Sequence, residues 1–139
     1  MKNFLLRLGA IALALFLGGS LNMFIVGISG SVIPPPPGAD FTKAKGLQQS
    51  AHLMELRHLI MPFLAHALGT LLAGFVAAAL TRERRLSAAL ITGFVFLTGG
   101  IMAIQMIPAP MWFKVLDLVI AYVPMAWAGY RVQQKMFAN

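Results

Sequence analysis

The sequence predicts an all-α integral membrane bundle of four transmembrane helices with both termini in the cytoplasm. Three observations carry that reading. Of the 139 residues, 59% are apolar and only 11% charged, with a mean hydropathy of +0.80. The apolar residues gather into four long runs, and the charges collect in the short segments between them. The whole chain, 1–139, then forms one domain with helices at about 4–28, 58–80, 86–107 and 111–131 and an outer loop over 29–57.

The first run follows a basic lead, Met1 to Arg7, and covers Leu8 to Ile28. A charged start and an apolar middle resemble a secretory signal peptide. The run exceeds the roughly 7–15 apolar residues of such a peptide, and it lacks a convincing A-x-A cleavage site. It is therefore predicted as a retained helix, with Arg7 snorkelling to the headgroups. Ala10, Ala14, Gly18 and Asn22 recur at every fourth position, a small-residue stripe ending in one amide that should face the bundle.

The outer loop opens with SVIPPPPGAD. Consecutive prolines cannot donate backbone hydrogen bonds and favour an extended polyproline strut. After Asp40, a candidate N-cap, Leu47, Ala51 and Met54 fall at helical spacing and predict a short amphipathic helix at the interface, a prediction that Gly46 weakens.

The second run is 22 residues long. Leu59 to Leu80 carries no formal charge and reaches roughly 33 Å as a helix, enough to cross a hydrocarbon core. Ala65, Gly69, Ala73 and Ala77 repeat along one face as a close-packing stripe, and His66 sits at its edge. Pro62 marks either the start of the spanning helix or a kink in it.

TRERR forms a tight basic turn before the third run, Leu86 to Ile107, which contains Thr92, Thr98, Gln105, Gly93 and the pair Gly99-Gly100. IPAPMW separates it from the fourth run, Met111 to about Tyr130, in which Pro124 should introduce a kink. Trp112 at one end and Trp127 and Tyr130 at the other suit aromatic belts at the two interfaces.

Counting basic residues by side gives Lys2, Arg7, Arg82, Arg84, Arg85, Arg131 and Lys135 against Lys43, Lys45, Arg57 and Lys114. The larger group marks the cytoplasmic side of a bacterial inner membrane and leaves the proline loop outside. The net charge of +7 thus reads as a topology signal, and no basic stripe interleaved with aromatics suggests nucleic acid. The absence of cysteine removes disulfides, thiolate metal sites, iron–sulfur clusters and thiol nucleophiles. No repeat period appears, and an inverted transporter repeat within one chain is not supported.

Polar residues inside the runs are the candidate site. Counting inward from the outer interface puts His66, Asp117 and Asn22 in one layer roughly 8 to 12 Å deep. Thr98 reaches a similar depth, Gln105 lies nearer the mouth, and Lys114 sits one turn from Asp117. A carboxylate at membrane depth must neutralise, pair or meet water, at about 2.5–3.5 kcal/mol on insertion scales. Two readings stay open. Asp117 and His66 form a protonatable couple open to the outer side that binds a cation, a proton or a small polar head group, with Asn22, Lys114 and Gln105 around it. Alternatively Lys114 snorkels and pairs with Asp117, while His66 and Asn22 hydrogen-bond between helices.

No metal or cofactor is implied. His52, Glu55 and His58 follow at three-residue steps, a pattern that reads as a solvated interfacial face with Glu55 and Arg57 screening each other rather than as a zinc or di-iron motif. His58 and His66 lie about 12 Å apart on one helix and cannot clamp one haem iron. No serine elbow and no phosphate-cradling glycine loop is present, so no catalytic residue is assigned.

Taken together, SVIPPPPGAD, HLIMPFLAHALGTLLAGFVAA and PAPMWFKVLDLVIAYVPMAW resemble a group of small bacterial four-helix inner-membrane proteins of no assigned activity. The resemblance spans most of the chain and implies the same fold and location; it brings no cofactor or catalytic residue. The leading functional expectation is a non-enzymatic membrane protein, an accessory or oligomeric subunit that contacts a protein partner or lipid. The alternatives are a small-ligand or proton-coupled transport component acting as a homo-oligomer, and a membrane enzyme on a lipid or quinone with His66 as acid or base.

Overall fold

The computed structural model describes residues 1–106 and 108–137. Its elements are helices: α1 (Lys2–Val32), α2 (Ala44–Gln49), α3 (Leu56–Leu80), α4 (Arg85–Met106), α5 (Met111–Ile120) and α6 (Val123–Met136), with a short 3-10 turn at Ala51–Leu53. Four segments are long and apolar enough to cross a membrane: α1, α3, α4, and α5 with α6 taken as one span of 26 residues.

α1 outlasts its predicted end. Ser29 returns its hydroxyl to the Val26 carbonyl, and the helix continues to Val32. It stops where chemistry requires: Ile33 precedes Pro34, whose ring forces the residue before it out of the helical region, and Ile33 is extended at φ −126°. α3 begins upstream of its expected start because Glu55 and His58 form a reciprocal cap around its first turn. It then runs through Pro62 without a new start there, which overturns the initiation reading.

The fourth run breaks rather than bends. Pro124 lacks an N–H and its ring collides with the carbonyl four residues back, so the helix ends at Ile120 and restarts at Val123. Ala121 and Tyr122 fill the gap, and Pro124 then sits in the first turn of α6, where a missing donor is harmless.

The two small-residue stripes meet each other. Ala14, Ala65, Ala73 and Ala77 are wholly buried, and a Cβ on Gly18 would strike the Gly69 carbonyl and Ala73 of α3. The antiparallel register is set by Ile25 with Met61 and Ala65 at the end nearer the proline loop, and by Ile11 and Ala14 with Ala77 and Ala88 at the end nearer the N terminus. Backbones that approach this closely gain dispersion contacts that bulky side chains would forbid. A second face of α3 does the same with α6, where Gly74 lies against Ala126 and Gly129 against Leu71 and Phe75. Arg7 closes the N-terminal end by donating to the Ser87 hydroxyl at 2.7 Å, tying α1 to α4.

The outward surface is apolar. Phe4, Phe16, Phe24, Phe94, Trp112 and Val119 are all more than half exposed, an arrangement suited to lipid rather than water. Trp127 is exposed with the Arg131 guanidinium 5.3 Å from its ring centre.

The loop between α1 and α3 differs from expectation at its short helix. Helix α2 spans only Ala44–Gln49 and its cap position is Lys43, not Asp40. Asp40 instead accepts from the backbone N–H and the hydroxyl of Thr42, a local turn that competes with capping. These donors, the hydroxyl first, hold its carboxyl below the ordinary value of 3.8, with a smaller contribution from Lys43. The strut itself turns at Pro36–Ala39, where Ala39 donates to the Pro36 carbonyl and Gly38 takes φ +83°.

Candidate functional site

α3 carries His66 from one side and the broken fourth span carries Asp117 and Tyr122 from the other. His66 Nδ1 lies 3.0 Å from each carboxylate oxygen of Asp117. The Tyr122 hydroxyl donates to Asp117 Oδ2 at 3.1 Å, and the tyrosine ring stacks on the imidazole at 5.5 Å and 29°. Asp117 is 1% exposed and Tyr122 2%, whereas the His66 side chain keeps 18% of its surface. The cluster therefore meets its surroundings through the histidine.

Local structure explains each placement. Asp117 lies in the last turn of α5, and its carbonyl accepts the N–H of Ala121 as that helix ends. Tyr122 is the cap residue of α6, at φ −115° and ψ −89°, a geometry available because the helix is interrupted there. Its ring fits because residue 100 is glycine: a Cβ at Gly100 would lie 2.5 Å from the tyrosine Cζ and hydroxyl. Around the pair, Ala67, Ala121, Phe63, Phe96, Leu97 and Leu118 supply an apolar wall. Thr70, one turn on from His66, returns its hydroxyl to the His66 carbonyl and stays out of the cluster.

The other residues expected in the layer stand apart. Lys114 makes no ion pair with Asp117 among the described residues, because the carboxylate faces α3 and the lysine does not follow it inward. Gln105 is exposed on α4, and Thr98 is exposed and bonded to the Phe94 carbonyl. Asn22 is packed at the α1–α3 contact, its Cβ 3.0 Å from where a Cβ on Gly69 would lie. Its side-chain oxygen is buried with no partner among the described residues. Equal depth along an axis does not bring side chains together, because their direction around each helix also matters.

His52, Glu55 and His58 do not form the expected solvated face. His58 is 8% exposed, accepts the Glu55 N–H on Nδ1 at 2.9 Å, and points Nε2 at the Pro34 carbonyl 3.2 Å away. Glu55 does pair with Arg57, at 3.0 Å, with both side chains largely exposed. Among the described residues no three His, Cys, Asp or Glu side chains gather closely enough to hold a metal ion.

Chemically, the cluster is built around one proton. Imidazolium with carboxylate and imidazole with carboxylic acid are both neutral overall and differ only in where that proton sits. Nδ1 equidistant from two oxygens suits either state. The tyrosine hydroxyl stabilises the carboxylate form by donating to it. In comparisons with family models, curated proteins and solved structures, this chain matches none.

Proposed function

We propose that this chain is a multi-pass membrane protein that binds a proton, or a small ligand that exchanges one, at the His66–Asp117–Tyr122 cluster, as the binding component of a membrane transport system. The observation that carries the reading is Asp117 at 1% exposure, joined to His66 and Tyr122 inside an otherwise apolar bundle. Ionisable groups inside membrane segments are costly and most often mark proton or substrate paths. The basic-residue asymmetry supports a bacterial inner-membrane setting with both termini cytoplasmic, which puts the His66 end of the cluster nearer the outer side.

The reading is tested by infrared difference spectra of the protein in lipid nanodiscs, recorded across pH 4 to 9. A carboxyl band that titrates in the wild type, disappears in Asp117→Asn and shifts in His66→Gln is the expected result. A wild-type protein with no titrating carboxyl band attributable to residue 117 would show the cluster to be a fixed hydrogen-bonded strut.

A second reading, the accessory subunit, is favoured by α1. Only 22% of its most apolar window is buried, and Gly9, Gly19, Gly27 and Gly30 have open space around them, so its outer face is free for a partner helix. Native mass spectrometry from mild detergent separates the two. A stoichiometric second protein supports the accessory reading, and a solitary chain or homo-oligomer with a bound small mass supports the binding component. Turnover of a lipid or quinone that is lost in His66→Gln would move the assignment to an enzyme.

A further inference from the structure

His58 lies outside the cluster and does something different with its ring. We infer that it is an acid-released latch, which fastens the proline strut of the outer loop to the first turn of α3 only while its imidazole is neutral.

The hydrogen bonds fix the tautomer. The Glu55 backbone N–H can only donate, so Nδ1, 2.9 Å away, must be the unprotonated nitrogen. The proton then resides on Nε2, which donates to the Pro34 carbonyl at 3.2 Å. One neutral ring thus satisfies both the cap of α3 and, 24 residues before His58, the start of the strut. The Phe41 ring meets it edge-on at 5.5 Å and 75°, adding the loop beyond the strut to the same anchor.

A second proton undoes this arrangement. It would have to sit on Nδ1, where it faces the Glu55 N–H, so donor would oppose donor and the histidine half of the cap could not persist. Imidazoles titrate between about pH 5 and 8, within reach of an acidified outer compartment. The nearest charged groups, Glu55 and Arg57, act on the ring with opposite sign, so the hydrogen bonds decide the outcome. On its own element, the Glu55 carboxylate, now paired with Arg57 at 3.0 Å, is the available acceptor for an imidazolium. The strut offers only the neutral Pro34 and Pro35, and Phe41 brings no charge of its own. Asp40 beside it is engaged by Thr42, with Lys43 next in sequence. Pro108 and Pro110, which share a cleft with Glu55, are likewise uncharged. The added charge strengthens the Nε2–H donor toward Pro34 but sets Nδ1–H against the Glu55 N–H, and the turning of the ring away from that N–H is what frees the loop as pH falls.

The absence of cysteine makes the test direct. A spin label on Ala44→Cys, an exposed position in the loop, reports loop mobility in nanodiscs at pH 7.5 and 5.5. The expected result is a several-fold gain in label mobility at pH 5.5. In His58→Gln the amide can accept from Glu55 and donate to Pro34 without titrating, so the label should stay at its neutral-pH mobility at both values. His52→Gln should respond like wild type. A wild-type label indifferent to pH, or a His58→Gln protein with the same acid response, overturns the inference. Nitrogen chemical shifts of His58 give an independent reading: Nε2–H tautomer at pH 7.5 supports the latch, and the Nδ1–H form refutes it. Neither result bears on the His66–Asp117 cluster, so the two proposals stand or fall separately.

Discussion

Two histidines on one helix, eight residues apart, show how differently the outer loop and the bundle handle polarity. His58, at the loop, gives both ring nitrogens to backbone groups; His66, within the bundle, gives one to a buried carboxylate. The same contrast runs through each region. Loop side chains such as Asp40 and Ser50 bond to nearby main chain, where prolines and short turns leave backbone groups needing partners. Helices in the bundle satisfy their own backbone N–H groups, so hydroxyls such as those of Thr70 and Thr92 fold back on their own helix, while His66 and Asp117 find each other across helices, and glycine and alanine line the closest seams. The lesson is that shape holds the bundle together and a single polar cluster individualises it.

If shape dominates, the largest effect should come from filling the α1–α3 seam. Gly18→Leu places a side chain into the Gly69 carbonyl and Ala73 backbone, and neither can move without separating the helices. Overpacking typically costs about 1–3 kcal/mol and more where backbone is struck, so the variant should fail to give folded protein in detergent. Gly9→Ala and Gly19→Ala, which meet nothing within 4 Å, should unfold in denaturing detergent at the wild-type midpoint or slightly above it. Equal losses at Gly18 and Gly19 would break the comparison.

Next in size is the cluster. Asp117→Ala leaves the Tyr122 hydroxyl and His66 Nδ1 buried without their acceptor, a loss of about 1–3 kcal/mol in the same unfolding assay. Tyr122→Phe removes one donor and keeps the ring packed against Gly100, so about 0.6 kcal/mol is expected, the average for a hydrogen bond between membrane helices. A Tyr122→Phe loss as large as that of Asp117→Ala would mean that the hydroxyl, not the imidazole, is the main partner of the carboxylate.

Much of this was legible in the sequence, and the misses share a cause. The four-residue spacing of Ala10, Ala14 and Gly18, and of Ala65, Gly69 and Ala73, announces two faces that must be covered, because size alone decides how close two helices come. His66 and Asp117 stand out as ionisable residues in apolar runs. Tyr122 does not, because tyrosine passes as another aromatic until the break at Pro124 turns its hydroxyl back toward Asp117. Asn22 shares the depth of His66 and Asp117 and Lys114 lies one turn from Asp117, but sequence gives distance along a helix and not rotation about it, which is what sets them apart from the cluster. The roles of His58 and Asp40 depend on backbone groups freed by the proline strut and the loop turns, and no side-chain pattern encodes those.

The smallest effect tests the loop half of the comparison. The Asp40 carboxylate is fully exposed, so what lowers its titration is not burial but donation from Thr42, hydroxyl and N–H together. A group whose acidity is increased by folding contributes above its ordinary value of 3.8 and ceases to contribute as pH falls through the lowered one. Thr42→Val removes the hydroxyl and keeps the N–H, so the carboxyl should titrate closer to 3.8 while remaining below it, as followed by carbon NMR of Asp40. The bundle should not notice, because the two regions share no polar network through Asp40. A midpoint unchanged by Thr42→Val would remove the hydroxyl from the account and leave the shift to the residue 42 N–H and Lys43. A change in bundle stability would show that the loop is coupled to the helices through more than the His58 contact.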